Sequence, residues 1–220
     1  MNAEAEAWFD DPAVWKMTVT EISFNAFPQP VRSAFQSGEY SDWRIDDTDM
    51  LERRDMETVY IIEVEKDRQE YDLYYSADAS LVKAVPDNDG NDHRNYIPED
   101  ISSTVSDFIS TQYPGARIIE IEKEKGMIEV DILDGNVHRE LLFTADGQWK
   151  YTKTEIIAAS VPKTVMDAFT GSQYASLRID DIDLYSTLDG DYYIFELDAE
   201  PDDIHLKISA DGAIEVVVNR

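Results

Sequence analysis

Residues 15–49 read WKMTVTEISFNAFPQPVRSAFQSGEYSDWRIDDTD, and residues 149–183 read WKYTKTEIIAASVPKTVMDAFTGSQYASLRIDDID. Aligned without a gap, the two stretches agree at 16 of 35 positions. The shared residues include Trp15/Trp149, Thr18/Thr152, Pro28/Pro162, Phe35/Phe169, Tyr40/Tyr174 and the run Arg44-Ile45-Asp46-Asp47 against Arg178-Ile179-Asp180-Asp181. Self-similarity at a fixed offset marks a repeat architecture. Each stretch opens with a run of strand character, continues with a proline suited to the first turn of a helix, and carries a short apolar stripe at helical spacing.

A third, more divergent copy lies between them, and one ruler measures all three. Phe35, Phe108 and Phe169 each precede a tyrosine by five residues: Tyr40, Tyr113 and Tyr174. Each tyrosine precedes an arginine by four, Arg44, Arg117 and Arg178, and an isoleucine follows every arginine. Strands of period two follow, with turn chemistry at Asp134-Gly135, Asp146-Gly147, Asp189-Gly190 and Asp211-Gly212. The expected class is α+β: tandem repeats of one helix packed on a curved antiparallel β-sheet. The boundaries read as an acidic N-terminal segment over 1–14, a first repeat over 15–85, a polar linker over 86–96, a second repeat over 97–157 and a third over 158–220. Phe9 and Trp15 keep the spacing of Phe143 and Trp149, so the N-terminal segment reads as an edge strand left from an earlier copy. The second helix is expected to open at Ile97-Pro98. The strand beginning at Trp149 both closes repeat two and leads into repeat three, so those repeats are expected to share one sheet.

Pro-x-x-Val-x-x-Ala-Phe, then Tyr, then Arg-Ile, then strands closing on Ala-Asp-Gly resembles the PepSY-like, β-lactamase-inhibitor-like family. The resemblance is carried most closely by the second copy, through 108–116, 119–123 and Leu142-Phe143-Thr144-Ala145-Asp146-Gly147. It covers roughly residues 15–220 and implies the β-lactamase-inhibitor-protein-like fold. It also implies small periplasmic or secreted proteins of Bacteroidota type, without established enzymatic activity, whose concave sheet face binds another protein. The first copy departs from the pattern, with Ala77-Asp78-Ala79 in place of Ala-Asp-Gly and no Pro-Gly after Tyr40.

Composition narrows the function classes. The chain has 220 residues, 19 Lys+Arg against 47 Asp+Glu, and a formal charge of -28. Such a surface repels nucleic acid and anionic lipid and attracts cations and basic protein surfaces. There is no cysteine, hence no disulfide or thiolate metal site. No apolar run approaches the roughly 20 residues that span a bilayer. The first residues have neither a basic end nor an apolar stretch and read as a mature N-terminus from which an export signal has been removed.

Candidate sites are few. Three and five residues beyond each copy's arginine stand acids: Asp47 and Asp49, Glu120 and Glu122, Asp181 and Asp183. Residues two apart on a strand share a face, so each pair presents two carboxylates, either as a solvated strand face or as a docking face for a basic protein partner. Asp87, Asp89 and Asn91 alternate oxygens as calcium loops do. Asp92 stands where the helix–loop–helix pattern needs glycine, and Pro98 where it needs glutamate. A flexible acidic linker is the other reading. His93, His138 and His205 show no metal-ligand spacing, and no nucleophile motif or phosphate-cradling glycine loop is present. Tyr74–Tyr75 and Tyr192–Tyr193 place one ring on each sheet face, making one of each pair a candidate interface anchor. The expectation is a non-enzymatic binding protein; the alternative is a calcium-responsive structural protein.

Overall fold

The computed structural model describes residues 5–10, 13–86, 100–200 and 202–217. It divides into two compact units, residues 1–100 with 117–122, and residues 101–116 with 123–220.

The first unit is built on an antiparallel sheet of six strands in sequence order: β1 (Ala5–Asp10), β2 (Val14–Glu21), β3 (Arg44–Arg53), β4 (Val59–Lys66), β5 (Gln69–Ser76) and β6 (Leu81–Pro86). Helix α1 (Gln29–Ser37) lies between β2 and β3 in the chain. Pro28 stands at its N-cap and Pro30 within its first turn, where a missing N–H costs nothing. Gly38 ends it, donating its N–H to the Phe35 carbonyl. Val31 and Phe35 pack with Phe27 against Ile62, Val64, Leu73 and Tyr75 of the sheet.

The second unit is built on the other antiparallel sheet. Its strands β8 (Met127–Asp134), β9 (Val137–Thr144), β10 (Trp149–Glu155), β11 (Arg178–Thr187), β12 (Tyr192–Asp198), β13 (Ile204–Ser209) and β14 (Ile214–Val217) pair in sequence order. β10 pairs with β9 on one side and β11 on the other. β7 (Arg117–Glu124) carries the chain between the units; its residues 117–122 group with the first. Helix α3 (Lys163–Thr170) sets Val165 and Phe169 against Tyr193, Phe195, Leu197, Leu206 and Ile208. Helix α2 (Ser103–Gln112) buries Val105 and Ile109, and its Phe108 stacks on Trp149 at 5.3 Å.

The α2 boundary differs from the expected one. The helix starts at Ser103 because the Ser102 hydroxyl accepts from the Val105 N–H at 3.4 Å, an N-cap that satisfies an otherwise orphaned donor. Ile97 and Pro98 lie outside the described residues.

Several of the shared residues have matching structural roles. Arg-Ile-Asp-Asp opens β3 and β11, and both strands slip register there, between Ile45 and Thr48 and between Ile179 and Ile182. The shared run therefore encodes a β-bulge, one residue extra against its partner strand. The Trp15 indole donates to Thr18 at 2.9 Å, and the Trp149 indole to Thr152 at 3.1 Å. The closing turns match as well. Ser76, Thr144 and Ser209 donate their hydroxyls to Asp78, Asp146 and Asp211. Gly147 and Gly212 adopt φ of +84° and +91°. Ala79 takes the same turn with φ +77°, in the left-handed region that favours glycine. The departure of the first copy from Ala-Asp-Gly thus leaves its turn geometry intact.

Candidate functional site

Helix α3 covers one face of the sheet in the second unit; the site lies on the other. In an antiparallel sheet, directly opposed side chains project to the same face. Register opposes Lys153 to Tyr185, Tyr185 to Tyr192, Asp183 to Ile194 and Ile194 to Lys207. These residues alternate with Leu184, Tyr193 and Ile208, which look toward α3. A ladder of side chains results across four strands. Tyr151 meets Tyr185 edge-on at 5.1 Å, Tyr185 stacks on Tyr192 at 4.9 Å with planes 6° apart, and the Lys207 ammonium sits 4.2 Å over Tyr192. The ladder borders an open concavity of about 760 Å³. Burial pushes the Tyr185 phenol up to about 12 and raises that of Tyr151 further, with the neighbouring Glu140 carboxylate adding to the second. Both remain neutral donors at physiological pH; Tyr151 donates to Glu140 at 3.2 Å.

Carboxylates flank the ladder. Lys153 stands 3.6 Å from both Glu140 and Asp183. Burial raises the Asp183 carboxyl above its ordinary range, an effect Lys153 opposes and Asp181 reinforces. Glu155, opposite Asp183 in register, is raised by burial and by Asp181 and Asp183. His205 lies 3.5 Å from Glu196. A carboxyl whose folded pKa is raised binds its proton more tightly in the folded state, so its contribution to stability falls as pH rises through that pKa. Asp183→Asn should therefore leave the melting temperature at neutral pH unchanged or higher. It should also flatten the decline expected as pH rises from about 4, the ordinary carboxyl value, through the raised folded value. Thermal melts of both proteins across that window check this; a variant with the same slope as the parent would contradict it.

The other two acid pairs have different surroundings. In the first unit the face opposite α1 is buried: Met17, Val19, Leu51, Val59 and Ile61 are at most 2 % exposed. Asp49 is buried on that face, and Asp47 is half-buried, accepting from the Thr48 N–H at 2.7 Å. One ring of the pair Tyr74–Tyr75 was expected at an exposed face, but both are buried, Tyr74 with Lys83 at 4.9 Å from its ring centre. Glu120 is buried and pairs with Arg53 at 3.0 Å, while Lys83 lies 3.6 Å from Glu120 and 3.3 Å from Glu122. Arg117 bridges Glu57 and Asp78. The Ser76 hydroxyl and Arg117 hold the Asp78 carboxyl down at about 2. Of the three pairs, Asp181 and Asp183 are the ones at the concavity.

Asp87, Asp89 and Asn91 lie outside the described residues. Among the described residues no group of three or more His, Cys, Asp or Glu is placed to hold a metal ion. No helix among them is long and apolar enough to cross a membrane, which says nothing of strands. Tyr151, Tyr185 and Lys207 were not marked by any motif. Their signal is the strand register, which the alternation around Tyr185 and Tyr192 carries.

The family model described as "Putative beta-lactamase-inhibitor-like, PepSY-like" matches residues 1–83, 91–137 and 126–215. The chain belongs to the PepSY-like family. Its PepSY-like character extends over three successive matches spanning both units. A BLIP-like protein from Bacteroides fragilis is similar in structure, at 21% identity and a TM-score of 0.51, over 58% of this chain and 94% of that one. Two further structural comparisons are weaker. A protein from Bacteroides eggerthii described as periplasmic matches at 15% identity and a TM-score of 0.47, over 54% of this chain and 90% of that one. A protein from Bacteroides thetaiotaomicron, described as calcium-regulated and periplasmic, matches at 17% identity and 0.25, over 60% and 93%. The likeness to the first establishes the fold, antiparallel sheet with few helices. A search of curated proteins finds no match.

Proposed function

We propose that the chain is a non-catalytic binding module of the periplasm or secreted space that holds a protein partner on the helix-free face of its second unit. It is read as three copies, each lending one helix and a run of strands. The observation that carries the reading is the ladder Tyr151–Tyr185–Tyr192 beside a concavity with four carboxylates, Asp181, Asp183, Glu196 and Glu215, against Lys207 and His205. Partly exposed tyrosines offer rigid contact area at low entropic cost, and anchors of this type dominate interface energetics. The carboxylates favour a partner with a basic surface and make association sensitive to salt.

The test is comparative capture. The native chain, Tyr192→Ala and Asp183→Asn are immobilised, exposed to periplasmic extract of a Bacteroides species and eluted by salt steps. One protein held by the native chain and released early from both variants is the expected result. Equal retention on all three, or nothing above background, rejects this face as the docking surface. A calcium-responsive role, suggested by the spacing of Asp87, Asp89 and Asn91, is the second reading. A rise in melting temperature with calcium, reversed by chelation, separates it from the first through ligand linkage.

A further inference from the structure

We infer that the outer edge of β14 recognises the partner by strand addition, taking an extended segment in which Lys or Arg alternates with apolar residues. This rests on the reading of the neighbouring face as a docking surface. β14 ends the strand order of its sheet, and among the described residues no strand pairs with its outer side. Sheets blunt exposed edges with lysine or proline. β6, at one end of the first sheet, carries both, Lys83 and Pro86, whereas β1 at the other end carries neither. β14 reads Ile-Glu-Val-Val and carries neither.

Its two sides differ in chemistry. Register sets Ile214 against Ile208 and Val216 against Leu206, both core residues with no exposure. Ile214 and Val216 themselves are 38% and 44% exposed, so the apolar floor under α3 continues uncovered to the edge. Glu215 opposes Lys207 on the helix-free side. There the 760 Å³ concavity and a second of about 630 Å³ share His205 and Val217, and Glu196, Asp202, Asp203 and Glu215 bring carboxylates to them. A strand laid beside β14 must alternate as β14 does. One set of its side chains covers Ile214 and Val216; the other enters the acidic side. Backbone hydrogen bonds supply affinity in this mode and alternate side chains supply specificity.

The full chain is titrated with a short, capped, fluorescent peptide of alternating Lys and Val. Controls are a peptide of the same composition in two blocks, and the alternating peptide N-methylated at every second residue, in both phases. The alternating peptide is expected to bind about tenfold more tightly than the block peptide and than at least one N-methylated form. Val216→Lys and Glu215→Lys, each verified as folded by circular dichroism, should each weaken it by about tenfold. Binding of the block peptide and both methylated forms within about twofold of the parent would reduce the effect to charge attraction and overturn strand addition, as would no binding at all. In the capture experiment, a partner lost by Asp183→Asn but retained by Val216→Lys would also overturn strand addition while leaving the docking face standing.

Discussion

Glu120→Ala should destabilise the first unit by about 3–5 kcal/mol, read as a shift of its urea unfolding midpoint. The side chain of Arg53 has no exposure, and its charge is met by Glu120 at 3.0 Å and by the carbonyl of Ile119. Its Nε has no hydrogen-bond partner, so little remains to offset the loss of the carboxylate. Removing one member of a buried pair leaves an uncompensated charge, and that desolvation penalty, rather than the pair's own strength, sets the cost. The partner's removal is milder. In Arg53→Met the volume is kept, and Glu120 retains Lys83 at 3.6 Å together with a slightly exposed side chain. Glu122, more than half exposed, should cost under about 1 kcal/mol when changed to alanine. Equal effects for Glu120→Ala and Glu122→Ala would contradict this account and return Glu120 to the surface acids.

The second large effect is expected at Phe195→Ala, about 3–5 kcal/mol in the second unit. Phe195 has no exposure and stacks on Phe169 of α3 at 5.2 Å, with planes 21° apart. Truncation forfeits the transfer of the ring and leaves a cavity between helix and sheet that the strands on either side cannot close. Tyr192, on the same strand but the opposite face, is the internal control. Its alanine variant loses a ring pair worth about 0.5–1.5 kcal/mol and opens no cavity. Chemical denaturation of the two variants should separate them clearly. Comparable losses would mean that the ladder is part of the structural core, and Tyr192→Ala would no longer serve as a binding variant.

Helices α1 and α3 were legible because their signals are local: Pro28 and Pro162 open them, and Val31–Phe35 and Val165–Phe169 mark the buried stripe. The turns were legible for the same reason, through Asp-Gly pairs whose backbone conformation restricts the choice of residue. The site was not, because its parts meet only through register. Tyr151, Tyr185, Tyr192 and Lys207 come from four strands and carry no shared spacing. The Arg53–Glu120 pair joins residues 67 apart. One available signal concerned the first sheet. Val59-Tyr60-Ile61-Ile62-Glu63-Val64 is nearly continuous in apolar character, the mark of a strand buried on both faces, whereas an acidic docking face requires strict alternation. The bulge in β3 and β11 was present in the sequence as Arg-Ile-Asp-Asp, but two acids in succession read more readily as a solvated strand than as an extra residue.

In both sheets the strands lie side by side in the order in which they occur along the chain, with α1 and α3 placed inside single connections. Each pairing then closes a loop no longer than one turn or one helix. The entropy of bringing ends together grows with loop length, so each pairing is reached cheaply and early. Nucleation at any hairpin can propagate strand by strand to its neighbours, as in other repeat proteins. A chain with 47 acids must collapse against its own charge. A topology that asks for only short-range encounters lets it do so in small steps, without first gathering distant acidic segments.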